Sequence, residues 1–194
     1  MVAKEILRKR LRNERKELGE EERERCSESI NVNCLEFLKQ FPQVQHIHIF
    51  LPIKRLLEIN TVPLLRKLFQ LDYHVYSSVT VHSSRKMVTV RLTAETVYDN
   101  DQMGIPVPAQ AEFVAEANLI DLVFVPLLGV DTSGNRLGYG QGFYDEYFKE
   151  LTSDVLKIGL SFKAPIKTLI PNESHDVPLD GCIYPEGTVV FEKK

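Results

Sequence analysis

Asp121-Leu-Val-Phe-Val-Pro126, then Gly134-Asn-Arg-Leu-Gly-Tyr-Gly-Gln-Gly-Phe-Tyr-Asp145, then Tyr144-Asp-Glu-Tyr-Phe-Lys-Glu-Leu151 read in order as a buried strand, a glycine-spaced loop and a helix. Glycine permits positive φ and lets backbone N–H groups approach a ligand, so alternating glycines suit an anion cradle better than core packing. Strand, loop and helix N-terminus in that order are a recurrent way to hold phosphate. The loop lacks the Gly-Lys-Ser/Thr ending of a Walker A loop and the spacing of the dinucleotide fingerprint, so the generic reading stops at phosphate. A surface turn that only reverses the chain is the bland alternative. Asp145 speaks against it, because a carboxylate beside bound phosphate repels unless a cation lies between them. The pair therefore implies Mg²⁺ held by carboxylates and phosphate oxygens. Asp176 and Asp180 are candidate second ligands, or turn formers before a strand.

Outward from this stretch, helical and strand patterns interleave. Ala3, Leu7, Leu11 and Leu18 form one helical stripe over residues 4–18, with Lys4, Arg8, Arg12 and Arg15 on the next. Such a basic face usually meets only solvent. Gly19 separates a second helix that runs to Phe41, where Pro42 stops it. His46-Ile-His-Ile-Phe-Leu51 reads as a strand, and Asn60 or Thr61 caps a helix through Leu71. Strands follow at 73–76, 87–92, 155–162 and 188–191, with a stiff connection at 104–108 and a short helix at 111–118. The predicted class is α/β: a three-layer α/β/α, Rossmann-like, mostly parallel sheet with helices on both faces and a basic N-terminal helix. One domain spans 1–194. Ligands on such sheets bind beyond the carboxyl ends of strands, here after Leu51 and Pro126.

Composition sets the surroundings. The chain has 194 residues, 43% hydrophobic and 26% charged, with a formal net charge of -3. That balance gives no general attraction to nucleic acid or acidic membranes, and aromatic interleaving among the basic residues, the mark of a single-strand binder, is missing. Three cysteines without clustering exclude a disulfide framework and a zinc site. Acidic Glu5, Glu14 and Glu17 argue against a transit peptide. The expectation is a cytoplasmic monomer acting on small molecules, with no nucleic-acid or membrane partner. His46 and His48 share a strand face and read as packing; His74 and His82 read as structural; His175 either orients Asp176 or sits in a surface turn. Of Phe143, Tyr144, Tyr147 and Phe148, two belong to the core.

Phe124-Val-Pro-Leu-Leu-Gly-Val-Asp131 and the loop from Gly134 to Asp145 resemble the signature of the 5-formyltetrahydrofolate cyclo-ligase family, also called 5,10-methenyltetrahydrofolate synthetases. The likeness extends through Lys4-x-x-x-Arg8, Phe50-Leu51, Glu58-Ile-Asn-Thr61, Gly104-Ile-Pro106 and His175-Asp-Val-Pro-Leu-Asp180. The resemblance implies an ATP- and Mg²⁺-dependent ligase that phosphorylates the formyl oxygen of 5-formyltetrahydrofolate, closes the ring through N10 and releases ADP and phosphate. It implies that Lys4 and Arg8 bind nucleotide together with the loop Arg136, Leu137, Gly138, Tyr139, Gly140, Gln141, Gly142 and Tyr144. Arg136 and Asp145 take the catalytic roles, Asp145 and Asp176 the metal positions, and Leu51, Glu58 and Tyr144 the folate. Lys54, Arg55 and Arg85 are cations available to the substrate's glutamate tail. Some members carry Arg and Lys where this chain has Tyr139 and Gln141, and many have glycine at Leu127. The segment from Leu51 to Glu58 is longer than in some relatives. A non-catalytic nucleotide-binding regulator on the same fold is the alternative; it needs neither metal nor pterin contact.

Overall fold

A computed structural model of the chain describes residues 2–81, 84, 86–114 and 117–192. Its helices are α1 (Val2–Glu17), α2 (Glu20–Leu38), α3 (Val62–Gln70) and α4 (Phe143–Glu150). Its strands are β1 (His46–Ile49), β2 (His74–Val81), β3 (Lys86–Leu92), β4 (Tyr98–Asn100), β5 (Pro106–Pro108), β6 (Glu112–Phe113), β7 (Leu122–Pro126), β8 (Gly129–Val130), β9 (Arg136–Leu137), β10 (Leu156–Leu160), β11 (Gly181–Tyr184) and β12 (Gly187–Val190). Eight strands form one sheet in the order β12-β11-β10-β7-β1-β2-β3-β6. The five from β11 to β2 are parallel, and β12, β3 and β6 add antiparallel edges.

Alternation along the central strands separates the two cores. Ile47, Ile49, Leu122, Phe124, Ile158 and Leu160 face Ile30, Phe37, Leu64 and Leu68 of α2 and α3. Val123, Val125 and Cys182 face Tyr147 and Phe148 of α4 on the opposite side. This is the expected three-layer arrangement, and Tyr147 and Phe148 are the two core aromatics of their run. Two aspartates pin the amino ends of parallel strands. Asp121 accepts the N–H groups of Gln45 and His46 at 2.8 Å each, and Asp180 accepts that of Lys157 at 2.9 Å. Asp180 is therefore a strand anchor.

Helix α1 lies across the carboxyl end of the sheet, where Leu11 packs with Leu128, Leu137 and Ile170. The fit is close: a Cβ on Gly129 would stand 2.8 Å from Leu11 Cδ1. Leu7, Leu11 and Leu18 of the apolar stripe pack inward as expected, and part of the basic stripe turns inward beside them. Ala3 is exposed, whereas Lys4 and Arg15 are buried beside Leu11. The helix turns its basic stripe inward because polar acceptors, not solvent, await it there.

Several boundaries also differ. Helix α2 ends at Leu38, and Gln40 and Phe41 close turns onto Phe37 and Leu38, since the residue before Pro42 avoids helical φ/ψ. Among the described residues of 111–118 no α-helix forms: β6 and a 3₁₀ turn at Ala117–Leu119 flank Ala115 and Glu116, which lie outside the described residues. The 104–108 connection contains β5, paired antiparallel with β4. Strand β2 extends past Tyr76 through Ser77 and Ser78, and β11 pairs with β10. At α3, Asn60 Oδ1 accepts the Val62 N–H (3.2 Å), while Thr61 Oγ1 donates to the Phe50 carbonyl (2.8 Å), tying this helix to the end of β1.

Candidate active site

Beyond the carboxyl ends of β1 and β7 opens a cavity of about 920 Å³. Its wall includes Lys4, Arg8, Leu51, Glu58, Arg136, Leu137, Gly138, Tyr139, Gly140, Gln141, Gly142, Tyr144, Asp145 and Asp176. These candidates thus border one space, although they come from α1, the β1–α3 connection, the glycine loop, α4 and the loop before β11; Asp180 is not among them.

The glycine loop is delivered by the β8–β9 hairpin. Fully buried Asp131 ties that hairpin: Oδ1 accepts from the N–H groups of Ser133 (2.8 Å) and Asn135 (3.0 Å), and Oδ2 from Asn135 Nδ2 (2.9 Å) and Ile170 N–H (2.8 Å). Arg136 follows, with its orientation fixed. It donates to the Val177 carbonyl (2.6 Å) and pairs with Asp145 Oδ1 (2.7 Å), while its guanidinium lies 5.0 Å from the centre of the Phe148 ring. Asp145 Oδ1 also accepts the Val177 N–H at 3.1 Å.

Three arginines of α1 hold the loop. Arg8 donates to the Gly138 carbonyl (3.2 Å), Arg12 to the Tyr139 carbonyl (3.3 Å) and Arg15 to the Tyr139 hydroxyl (2.6 Å). A trans peptide sets its N–H opposite its C=O, so the N–H groups of Tyr139 and Gly140 point away from these guanidinium groups. Gly140 has φ +93°, and a Cβ there would stand 3.2 Å from Arg8 Cζ. The conformation favours glycine, and a side chain there would also press on Arg8.

The remaining charges beside the glycine loop are paired too. Lys4 Nζ lies 2.6 Å from Asp176 Oδ2 and 3.1 Å from Glu173 Oε1. Burial pushes the Lys4 ammonium pKa down, but bonds to Asp176 and Glu173 outweigh it and leave a net rise. For Asp176, burial pushes up, and the Lys4 bond with the Glu173 N–H turns the net shift downward. His175 is exposed, with Nε2 3.9 Å from both Glu173 and Asp176 carboxylates, and so does not fix either.

The opposite end is apolar and acidic. Glu58 accepts the Ile53 N–H (2.8 Å) and lies beside Tyr139. Burial raises its pKa, opposed by the Ile53 bond, Arg15, Tyr139 and Arg55. Burial and then the Glu58 charge raise both Tyr139 and Tyr144, so both phenols stay protonated. Arg55 also borders the cavity and donates to the Met103 carbonyl (3.1 Å). Lys54 is exposed and absent from this wall, and Arg85 and His82 lie outside the described residues. Beneath the floor, fully buried His48 shares a 2.6 Å hydrogen bond with Ser78 Oγ, and burial lowers its pKa to about 3. His46 bonds the Tyr76 hydroxyl (2.9 Å) and stacks on His74, which makes all three packing groups.

Asp145 and Asp176 offer hard oxygen donors, and each already sits against a cation of the chain, so positive charge is stable at both places. That donor set fits Mg²⁺, which takes one or two carboxylates and completes its shell with phosphate oxygens and water. Among the described residues no three His, Cys, Asp or Glu gather as a protein-only metal cluster. Arg12, Arg15 and Glu173 are participants that pattern reading left without a role. The i, i+4, i+7 spacing of Arg8, Arg12 and Arg15 was the available signal, whereas Glu173 carried none.

A model of the 5-formyltetrahydrofolate cyclo-ligase family matches residues 1–185. The chain is 30% identical over 192 residues to the 5-formyltetrahydrofolate cyclo-ligase of Mus musculus, covering 94% of this chain and 93% of the relative. It is 28% identical over 177 residues to that of Haemophilus influenzae, covering 89% and 92%. The NMR structure of Aquifex aeolicus 5,10-methenyltetrahydrofolate synthetase superposes with a TM-score of 0.82 at 26% identity, covering 98% of this chain and 94% of that one. The 5,10-methenyltetrahydrofolate synthetase of Mycoplasma pneumoniae shares the fold, with a TM-score of 0.73 at 24% identity, covering 94% and 99%.

Proposed function

Because this chain belongs to the 5-formyltetrahydrofolate cyclo-ligase family, we propose that its cavity converts 5-formyltetrahydrofolate to 5,10-methenyltetrahydrofolate at the expense of ATP, with Mg²⁺ as cofactor. The observation that carries the reading is the meeting, in one space, of a charged loop end and a carboxylate–aromatic end. A regulator that only bound nucleotide would have no use for Glu58 and Leu51 in the same wall.

The formamide carbonyl is a weak electrophile with a poor leaving oxygen. Transfer of the γ-phosphoryl group to that oxygen cures both faults. N10 then attacks the formyl carbon, phosphate leaves with the former carbonyl oxygen, the N10 proton is released, and the cyclic amidinium remains beside ADP. Phosphoryl transfer asks the protein for alignment and charge stabilisation. Lys4 and Arg136 supply it by exchanging their carboxylate partners for phosphate oxygens, while Arg8 and the N–H groups of Tyr139 and Gly140 steady the tail. Asp145 and Asp176 would hold Mg²⁺, which would supply neutralisation of charge on the triphosphate. Glu58 accepts hydrogen bonds from the pterin, and Leu51 and Tyr144 flank its ring. Arg55 is the cation placed to meet the glutamate tail.

One catalytic domain spanning 1–194 carries this activity as a monomer, without nucleic-acid or membrane partners. We place it in the cytoplasm: Cys26, Cys34 and Cys182 are buried free thiols, as a reducing compartment keeps them. No helix among the described residues is long and apolar enough to cross a membrane. The test is to mix protein, ATP, Mg²⁺ and 5-formyltetrahydrofolate and follow the near-ultraviolet absorbance of the conjugated product, omitting each component in turn. Product without ATP, or none with all components present, would refute the reading.

A further inference from the structure

Arg15 differs from the other cations around the glycine loop. Lys4, Arg8, Arg12 and Arg136 each face a carboxylate, and each borders the cavity. Arg15 does neither: it is 7% exposed and absent from the wall, and among the described residues no carboxylate lies within 4.0 Å of it. Neutral acceptors fill its fork instead. Nη1 donates to the Tyr139 hydroxyl at 2.6 Å and reaches the Leu56 carbonyl at 3.5 Å, while Nη2 donates to the Leu127 carbonyl. The guanidinium lies 6.0 Å from the centre of the Tyr139 ring and 5.4 Å from that of Phe162. A buried cation without a counter-ion is costly, and this one touches no ligand space, so what it supplies is position.

Tyr139 is where that hold is applied. The carbonyls of Gly138 and Tyr139 are gripped as well, by Arg8 at 3.2 Å and Arg12 at 3.3 Å, but both arginines share their charge with exposed Glu5. The Arg15 bond to the Tyr139 side chain is the shortest of the three. Arg8, moreover, is the one that turns to phosphate in the reaction proposed above.

We propose that Arg15 is a positioning residue of the nucleotide site: through the Tyr139 hydroxyl and the Leu127 carbonyl it fixes the glycine loop, so that the N–H groups of Tyr139 and Gly140 are oriented before the triphosphate arrives. The inference rests on the function proposed above. A loop ordered beforehand loses less freedom when its ligand binds. This also gives Tyr139 a reason to be tyrosine. Members with a basic residue there place a charge on the phosphate directly. Here the cation sits on α1 and reaches the loop through a phenol, so the loop gains order in place of charge.

The test is calorimetric. The Kd of a non-hydrolysable ATP analogue with Mg²⁺ is measured for the wild type, Arg15→Met, Tyr139→Phe and the double variant. Each single change should weaken the nucleotide by about 2- to 12-fold, the cost of ordering a freed side chain on binding. The double variant should be no weaker than the worse single one, because both changes break the same bond. In turnover, the KM for ATP rises while kcat at saturating ATP holds. An arginine that served stability alone would lower Tm and leave that split unmoved. Tyr139→Arg approaches from the other side. A loop that held itself would gain a phosphate cation and bind more tightly. With Arg15 in place, the new guanidinium meets a like charge and the anchor is lost, so Kd rises; adding Arg15→Met removes the repulsion and Kd falls again.

Should Arg15→Met not fold, Arg15→Lys takes its place. It keeps the charge but loses the fork that reaches both Leu127 and Tyr139, and the same rise in Kd is expected. Unchanged nucleotide affinity in the folded single variants, additive losses in the double one, or tighter binding by Tyr139→Arg alone overturns the proposal and leaves the reaction standing. A wild type that binds no nucleotide removes both.

Discussion

The two ends of the cavity are prepared in opposite ways. At the phosphate end, charges are numerous and neutralised by each other: Lys4 by Asp176 and Glu173, Arg136 by Asp145. At the folate end a half-buried carboxylate, Glu58, sits among protonated phenols, with its pKa raised by burial. The first end is stable when empty because its ion pairs satisfy one another, and it works by exchanging partners. The second is held ready by a backbone donor, the Ile53 N–H, and works without exchange. Substitutions should therefore show as lost turnover at one end and as lost affinity or altered pH dependence at the other.

The largest effect is expected from Arg136→Ala, which removes charge stabilisation and should lower kcat by about 100- to 1,000-fold. Near-normal turnover in a steady-state assay would break the comparison at its stronger side. Glu58→Gln removes the charge from one hydrogen-bond acceptor. Such bonds contribute about 1.5–3 kcal/mol, so the KM for folate should rise about 10- to 150-fold with the KM for ATP little changed. Because burial raises the Glu58 pKa, the carboxylate protonates above the ordinary glutamate range as pH falls. Wild-type folate KM should climb in that window, and in Glu58→Gln the climb should vanish.

Gly140→Ala tests the geometry behind the phosphate end. Left-handed φ costs a side chain about 1–2 kcal/mol, and the added Cβ presses on Arg8. Thermal unfolding should register that loss of stability, and ATP titration a weaker nucleotide. Gln141→Lys should act in the opposite direction. An added charge at this exposed loop position contributes about 0.5–1 kcal/mol, or roughly 2- to 5-fold in ATP affinity. No gain would mean that the α1 cations already saturate the phosphates. The smallest effect is on stability. Asp176 has its pKa lowered in the folded chain, so its pairing stabilises the fold above the ordinary aspartate range and is lost as pH falls through the folded value. The Tm difference between wild type and Asp176→Asn should shrink over that acid window.

Much of this molecule could be read from pattern. Strands β1, β3, β7 and β10 announced themselves by apolar runs, and α2 by the breaks at Gly19 and Pro42. Strand β11 gave less away, since Gly181-Cys182-Ile183-Tyr184 is short and follows a loop rich in turn formers. Ser77 and Ser78 hid the second half of β2 because they serve the cavity and not the core. The loop, its flanking arginine and its aspartate were legible because glycine spacing is a local signal. What was not legible was pairing at a distance. Lys4 meets residues 169 and 172 positions away, and no periodicity within α1 says that its basic stripe faces inward. Glu58 was hardest to place by spacing, because only the folded chain sets it in the cavity wall beside Tyr139. Leu127, a departure from the family pattern, has a local explanation. Its side chain fills the space above Gly159, where a Cβ would come within 2.6 Å of Leu127 Cδ2 and 2.7 Å of Leu179 Cδ1.

That last fit makes the order of change matter. No side chain enters position 159 until two leucines retreat, and trimming Leu127 alone opens a void costing about 2–5 kcal/mol. Exchanges here are thus epistatic: harmful singly, tolerable only in combination. A homologue's glycine grafted onto position 127 by itself is a poor guide to what this backbone will accept.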